Sequence, residues 1–166
     1  MAESVATILF KDDKVLLIKR RDIPVWVLPG GGVERGESPE TAAGREMEEE
    51  TGCQVEIIRK VALYTPKNRL SKITHFYEVK LKSGFLKTGN ETKDLQFFSL
   101  SALPKHLPPP YAHWIADAAA RHHHTLHKDV AGVSYPVLFK LLLQHPLLVG
   151  RFLLTKIGIH INEPIR

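Results

Sequence analysis

The chain has 166 residues, of which 43% are hydrophobic and 25% are charged, and these proportions are typical of one globular domain. Its one cysteine, Cys53, excludes a disulfide-bonded scaffold, and no apolar run approaches the roughly 20 residues that a membrane-spanning helix needs. Lys and Arg number 23 against 18 Asp and Glu, and this net charge of +5 favours anionic ligands but is weak evidence for nucleic acid. The lone thiol and the absence of a secretory signal in MAESVATILF predict a cytoplasmic protein with no transmembrane segment.

The first residues predict a β-hairpin that leads to a tight loop. Residues 5–10 and 14–19 are rich in aliphatic and β-branched side chains and flank a polar turn. Residues 26–28 predict a third, short strand. The loop follows at residues 29–32, where three successive glycines allow the backbone to turn sharply and to approach a ligand closely.

A helix is predicted next, with signals at both of its ends. Ser38 is a suitable N-cap, Pro39 fits the first helical position and Glu40 places an acid in the first turn. Gly52 is suited to end the helix. Further strands are predicted at about residues 54–64, 73–81 and 96–99, and a second helix at about 111–122. This mixture of strands and helices indicates an α+β fold class.

Acidic residues crowd the second half of the first predicted helix. Glu46, Glu49 and Glu50 stand at positions i, i+3 and i+4, so their carboxylates share one face, and Glu48 lies on the neighbouring face. These charges repel one another, and the negative end of the helix dipole adds to the repulsion. A hard divalent cation would relieve both effects, because carboxylates and water supply the oxygen ligands that Mg2+ prefers. The alternative for an acidic run taken alone is a solvated surface.

The spacing of the whole region is more specific than the acidic run. From its first glycine it reads G-x5-E-x7-R-E-U-x-E-E-x-G-U, where U is an apolar residue. The positions are filled by Gly31, Glu37, Arg45, Glu46, Met47, Glu49, Glu50, Gly52 and Cys53. This pattern resembles the Nudix box, the signature of hydrolases that act on a nucleoside diphosphate linked to another moiety. Only Cys53 departs from the family pattern, and a buried thiol replaces the usual aliphatic residue as a small hydrophobe.

The resemblance covers about residues 4–125 and implies a fold and a class of reaction. The fold would be the Nudix α/β/α sandwich with a mixed sheet. The reaction would be hydrolysis of a phosphoanhydride bond, assisted by Mg2+ or Mn2+. The substrate would be a nucleoside triphosphate, a nucleotide sugar or a dinucleotide.

The resemblance also implies roles for individual residues. The residues that correspond to the family's metal ligands are Glu46, Glu49, Glu50 and, through its carbonyl, Gly30. Glu46 is the first candidate for the general base, and Glu49 is the second because family members differ in the glutamate they use. Glu37 and Arg45 correspond to an ion pair that holds the loop against the helix. The alternative for this pair is an ordinary surface salt bridge.

Residues outside the box are candidates for substrate binding. Arg20 and Arg21 leave the second strand just before the loop and are placed to reach phosphate, although a solvated strand end is equally consistent with them. Trp26 and Phe98 are candidates for stacking on a base, with burial in the core as the alternative. Glu91 is a candidate for an additional carboxylate opposite the helix, as in many members of the family.

Two other functions remain open at this stage. A capped-RNA pyrophosphohydrolase would use the same box, and only in that case would the partner be a nucleic acid rather than a small-molecule nucleotide. A non-catalytic nucleotide sensor on the same fold is the second alternative, and the complete set of ionisable residues in the box argues against it.

Residues 129–166 lie beyond the expected domain of residues 1–128 and predict a helical extension. Residues 133–159 are densely apolar with interspersed basic residues, and we expect two short amphipathic helices that pack on the domain or on a second subunit in a homodimer. A helix pair on a membrane surface is the alternative. Just before this segment, His123 and His127 have the spacing of two metal ligands on a helix, but a polar helix end explains them better.

Overall fold

The computed structural model describes residues 2–105 and 107–156. In chain order the elements are β1 (Glu3–Lys11), β2 (Lys14–Arg20), β3 (Trp26–Val27), α1 (Pro39–Thr51), β4 (Cys53–Thr65), β5 (Ile73–Gly84), β6 (Thr92–Ser99), α2 (Tyr111–Ala119), β7 (Leu126–Asp129), α3 (Tyr135–Gln144) and α4 (Pro146–Lys156). The strands form one mixed sheet in the order β3-β2-β1-β5-β4-β7, and β6 pairs with β2. β1 with β5 and β4 with β7 are parallel, and the other pairs are antiparallel.

The sheet is buried on both faces, which confirms the expected α/β/α sandwich. β1 shows the reason most directly, because its side chains alternate between two hydrophobic clusters. Val5 and Leu9 pack on the side of α1, whereas Ala6 and Ile8 pack on the side of α2. A strand covered on both sides has a nearly continuous apolar sequence, as residues 5–10 have.

The ends of α1 are formed as its sequence predicts. The Ser38 hydroxyl oxygen accepts a hydrogen bond of 3.1 Å from the backbone N–H of Thr41, and Pro39 begins the helix. Gly52 ends it with a φ of 70°, and its N–H donates to the carbonyl of Glu48 over 2.8 Å. On the inner side Ala42, Ala43 and Met47 are fully buried against the sheet. Local signals and burial therefore hold the acidic second half of α1 in a fixed position.

The second helix is shorter than predicted because a long-range contact ends it. α2 stops at Ala119, and the carbonyls of Ala118 and His122 accept hydrogen bonds of 2.9 and 3.2 Å from the guanidinium of Arg59 on β4. The chain then forms β7, a strand that the sequence analysis did not predict. His127 lies on this strand, so it does not share a helical face with His123, and the less favoured alternative of two metal ligands on one helix is not formed.

β7 also moves the end of the domain. The expected boundary at residue 128 falls within this strand, and Val130 beyond it is only 3% exposed. The N–H of Val130 donates to the Thr65 carbonyl over 2.8 Å, and Val133 packs against the cluster on the α2 side. The body of the domain therefore continues to about residue 133.

Two short helices follow, as predicted for the tail. α3 and α4 pack against each other, and α3 has no buried residue. In the described part of the chain, no helix combines the length and apolar character needed to cross a bilayer. Residues 157–159, the last part of the expected extension helices, lie outside the described residues.

We expect Arg59→Ala to lower the free energy of unfolding by about 3 to 5 kcal/mol, because it leaves a buried carboxylate unpaired. Glu78 is 6% exposed and accepts a 2.7 Å hydrogen bond from Nε of Arg59. Urea denaturation would measure the loss. Lys82→Ala, on the exposed end of β5, is the control and should change stability little. Equal stability of the two variants would contradict this role of Arg59.

We expect a chain that ends at Lys128 to be less stable than one that ends at Ser134. The shorter chain loses Val130, and burying a valine side chain contributes roughly 1.5 to 3 kcal/mol. The longer chain loses α3 and α4 but keeps Val130 and Val133 in the core. Thermal and urea denaturation of both chains would test this, and equal melting temperatures would show that the tail beyond Ser134 carries the stability instead.

Candidate functional site

The loop of residues 29–32 is attached to β1 by backbone hydrogen bonds. The N–H of Val5 donates to the Gly31 carbonyl over 2.9 Å, and the N–H of Thr7 donates to the Pro29 carbonyl over 2.8 Å. Gly30 lies between these bonds with a φ of 153°, and a Cβ at this position would lie 2.2 Å from the Val5 carbonyl oxygen. Only glycine permits this close approach, so the sequence of the loop fixes its position on the sheet.

Glu50 turns inward from the last turn of α1 to meet this loop. Its Oε2 accepts a 2.8 Å hydrogen bond from the N–H of Gly30, and the residue is 9% exposed. Burial raises the pKa of Glu50 to about 8, the negative charge of Glu46 acts in the same direction, and the Gly30 N–H and Arg20 oppose the shift. In the absence of a cation, the site therefore favours the protonated form of this carboxyl at neutral pH.

Glu46 lies against the next residue of the loop. A Cβ on Gly31 would lie 2.3 to 2.6 Å from the atoms of the Glu46 carboxylate, so glycine is required here to make room for that carboxylate. Burial raises the pKa of Glu46, and the charges of Glu49 and Glu91 add to this effect, while the hydrogen bond and charge of Arg45 oppose it. Two successive glycines of the loop thus face two of the predicted metal ligands.

Arg45 joins the loop to the acidic face of the helix. Its Nε and Nη2 each donate to an oxygen of Glu37 over 3.0 Å, and Nη2 also donates to the Gly32 carbonyl over 3.0 Å. Its Nη1 donates to Glu46 over 2.9 Å and to Glu49 over 3.3 Å. The hydrogen bond to Arg45 is the main reason that the pKa of Glu37 is lowered. The guanidinium therefore acts as a fixed connection among three carboxylates.

The donor groups of this site fit a hard divalent cation. Glu46, Glu49 and Glu50 offer only oxygen atoms, and burial disfavours the charge of two of them in the absence of a cation. Within residues 2–105 and 107–156, no three acidic, histidine or cysteine side chains already stand around one point as a metal shell. Glu46 and Glu49 each contact Nη1 of Arg45 through one carboxylate oxygen, so this guanidinium orients two side chains of the proposed ligand set.

Arg20, one of the two candidates for phosphate binding, lies close enough to this cluster for its charge to act on Glu50. Arg20 pairs with the buried Asp22 through contacts of 2.8 and 2.5 Å, and its charge acts on both Glu50 and Tyr111. Arg21 donates its backbone N–H to the Glu91 carbonyl over 3.0 Å. The Nε of Arg21 is buried with no hydrogen-bond partner in the described structure. Both residues are partly buried, whereas the alternative of a solvated strand end would leave them exposed.

Trp26 and Phe98 lie on the other face of the sheet from the carboxylates. They form an edge-to-face pair with ring centroids 4.8 Å apart and pack against the cluster on the α2 side. Lys19 stands 5.8 Å from the centroid of the Trp26 ring. Both rings are half-buried, so the geometry is that of aromatic residues at the rim of a core.

The loop between β5 and β6, from which Glu91 was predicted to supply a carboxylate, contacts the last turn of α1. The N–H of Lys87 donates to the Thr51 carbonyl over 2.9 Å, and the N–H of Gly89 donates to the Glu50 carbonyl over 3.3 Å. A Cβ on Gly89 would lie 1.9 Å from the Glu49 carbonyl oxygen. The loop thereby binds the carbonyls of the last turn of α1 and brings Glu91 close enough to affect Glu46 and Glu50. An isolated glycine was the only signal for this contact in the sequence.

Comparison with known proteins finds relatives that are named as a pyrophosphatase and as a diphosphatase. An ADP-ribose pyrophosphatase of Methanocaldococcus jannaschii is 38% identical over 110 residues, which are 63% of this chain and 65% of that protein. A putative 8-oxo-dGTP diphosphatase of Bacillus subtilis is 36% identical over 103 residues, 61% of this chain and 68% of that protein. The alignments therefore span about two thirds of the length of these relatives.

The fold is also similar to a solved structure. The crystal structure of an ADP-ribose pyrophosphatase from Streptococcus suis superposes with a TM-score of 0.63 at 29% sequence identity, covering 77% of this chain and 98% of the other. A sequence model of the NUDIX domain matches residues 2–118, which contain the loop, α1 and every strand except β7. The chain therefore belongs to the Nudix family.

Proposed function

We propose that the protein is a divalent-metal-dependent hydrolase that cleaves a phosphoanhydride bond in a nucleoside diphosphate linked to another moiety. The observation that carries the proposal is the close approach of Gly30 and Gly31 to the carboxylates of Glu50 and Glu46. A merely solvated acidic face would leave these side chains exposed, whereas here the backbone of a glycine loop is built around them.

Glu46, Glu49, Glu50 and the carbonyl of Gly30 would hold Mg2+ or Mn2+. When bound, such an ion binds diphosphate oxygens and neutralises the charge that develops at the attacked phosphorus and on the leaving group. The charge of Arg20 acts on Glu50, and we infer that Arg20 and Arg21 bind the remaining phosphate oxygens, because guanidinium groups match the geometry of phosphate.

Glu46 is our candidate for the group that accepts a proton from the attacking water. Burial raises its pKa, and a base works best when its pKa lies nearer to the working pH. Arg45 fixes the orientation of the Glu46 carboxylate through the 2.9 Å contact and is itself held by Glu37. Glu49 has a side chain that is 59% exposed and a longer contact to Arg45, so it is the second candidate.

The substrate class remains broad, and a direct assay would narrow it. The relatives are named for ADP-ribose and 8-oxo-dGTP, and both compounds contain the proposed linkage. The assay would offer these two, nucleotide sugars, dinucleotides and capped RNA, each with Mg2+ and with Mn2+. We expect hydrolysis of at least one small nucleotide to a nucleoside monophosphate and a second product. Binding without hydrolysis of any substrate would favour the nucleotide sensor, and hydrolysis of capped RNA alone would favour the RNA enzyme.

Glu46→Gln should lower turnover at least about 100-fold, because it removes the proposed base and one metal ligand while keeping the shape of the side chain. Glu49→Gln should have a comparable effect if the ligand set is as proposed. The matched control is Glu48→Gln on the neighbouring face of α1, whose carboxylate accepts a 3.2 Å hydrogen bond from Nε2 of Gln54. Near wild-type rates in both Glu46→Gln and Glu49→Gln, with unchanged melting curves, would show that the catalytic residues do not lie on this helix.

In protein freed of divalent ions, the free energy of unfolding should fall as the pH rises from about 4.5 to about 8. Over this range the folded protein keeps a proton on Glu50 that the unfolded chain has released, so deprotonation favours unfolding. Glu50→Gln should remove this decline, and Glu48→Gln should keep it. Mg2+ should restore stability at the upper pH by an amount that reaches about 2.7 kcal/mol at 100 times its Kd. The same pH dependence in Glu50→Gln would contradict the role of Glu50 in this decline, and no stabilisation by millimolar Mg2+ would contradict the proposed metal site.

A further inference from the structure

The tail presents an unusual row of large apolar side chains to solvent. Tyr135, Phe139 and Leu143 are 58%, 62% and 70% exposed, and their spacing of four residues places them on one side of α3. Leu147, at the start of α4, is 83% exposed. We call Tyr135, Phe139 and Leu143 the α3 stripe. Exposed apolar rows of this kind mark surfaces that contact something else.

The apolar side chains of α3 outside the stripe are less exposed. Val137, Leu138, Leu141 and Leu142 are partly buried, and α3 packs against α4. Lys140 and Gln144 are exposed beside the stripe, so polar groups border it on one edge. The stripe is therefore not the inner face of the helix pair, and the described part of the chain leaves it uncovered.

The charge of the tail indicates what covers the stripe. From residue 130 to residue 162 the sequence contains no Asp or Glu, whereas it contains Lys140, Arg151 and Lys156. The whole chain carries a net charge of +5. A second copy docked on this surface would bring two basic tails together, whereas an anionic surface would complement them. Apolar residues bordered by basic residues are the combination that binds anionic lipid at the membrane interface.

The dimensions of the helices fit a position along the interface rather than across the bilayer. α3 has 10 residues and α4 has 11, so each is about 15 to 17 Å long, roughly half the thickness of the hydrocarbon core. Tyr135 adds an aromatic ring with a hydroxyl group, which suits the boundary between headgroups and acyl chains.

We propose that α3 and α4 form a hairpin that docks the protein on an anionic lipid surface through the α3 stripe and Lys140. The hairpin follows Val130 and Val133, which pack in the core on the α2 side, so the docked tail is firmly joined to the domain. The acidic face of α1 lies on the opposite face of the sheet. The proposal does not depend on the proposed hydrolase function.

The test is flotation of the full chain with lipid vesicles. We expect the protein to float with vesicles of phosphatidylcholine and phosphatidylglycerol, to float much less with phosphatidylcholine alone, and to be released in part by salt. The double substitution Phe139→Ser and Leu143→Ser should weaken binding to the anionic vesicles at least about tenfold. Lys140→Glu should weaken the same binding without removing any apolar side chain.

The matched control is Leu81→Ser, which removes a 53% exposed leucine from β5 and should leave vesicle binding unchanged. Circular dichroism and the rate on a soluble nucleotide would show that each variant is folded. Absence of the wild-type protein from the anionic vesicles would overturn the proposal, as would equal binding by the double variant. A dimer in analytical ultracentrifugation that dissociates in the double variant, without vesicle binding, would assign the stripe to a second copy instead.

Discussion

The close packing of a glycine loop between β1 and the acidic end of α1 is the constraint on which the site depends. Gly30 approaches the Val5 carbonyl so closely that no side chain fits, and from this position its N–H reaches Glu50. Gly31 leaves the space that the Glu46 carboxylate occupies. The sheet, the loop and the helix are thus held in one geometry by contacts that require the absence of two side chains.

This geometry concentrates negative charge where a helix tolerates it poorly. Three carboxylates at the C-terminal half of α1 oppose the helix dipole and one another. Arg45 offsets part of this repulsion by contacting Glu46 and Glu49, whereas burial, together with the charge of Glu46, raises the pKa of Glu50. The protein therefore stabilises a cluster that is electrostatically unfavourable by itself, as is common where a cation is later bound.

Local signals made much of the fold predictable from the sequence. Ser38, Pro39 and Gly52 defined α1, and the box placed Glu37 and Arg45 at a spacing that the structure closes into an ion pair. Elements determined by distant contacts were missed. The end of α2 depends on Arg59, some 60 residues earlier in the chain, with hydrogen-bond separations of 59 and 63 residues. β7 exists because it pairs with the end of β4, a partner that no local pattern reveals.

In the candidate site, too, contacts within one helix were predictable from the sequence, whereas contacts between distant segments were not. The spacing along α1 indicated which carboxylates come together, because a helix fixes those distances. The side of the sheet on which Trp26 and Phe98 lie depends on strand pairing, and the structure packs these rings against the cluster on the α2 side. The contact of Gly89 with the last turn of α1 depends on the path of a loop that has no periodic pattern.

The parallel pairing of β1 with β5 affects the order in which the parts of the domain fold. Ser4 on β1 hydrogen-bonds Thr74 on β5, 70 residues away in the chain. Such pairings form slowly, because the intervening chain loses its conformational freedom before the contact is made. During synthesis, β1 has no parallel partner until β5 has left the ribosome. The loop that rests on β1 therefore reaches its final support only after α1, β4 and β5 have been added beyond it, so the contact of Gly30 with Glu50 is completed late in folding.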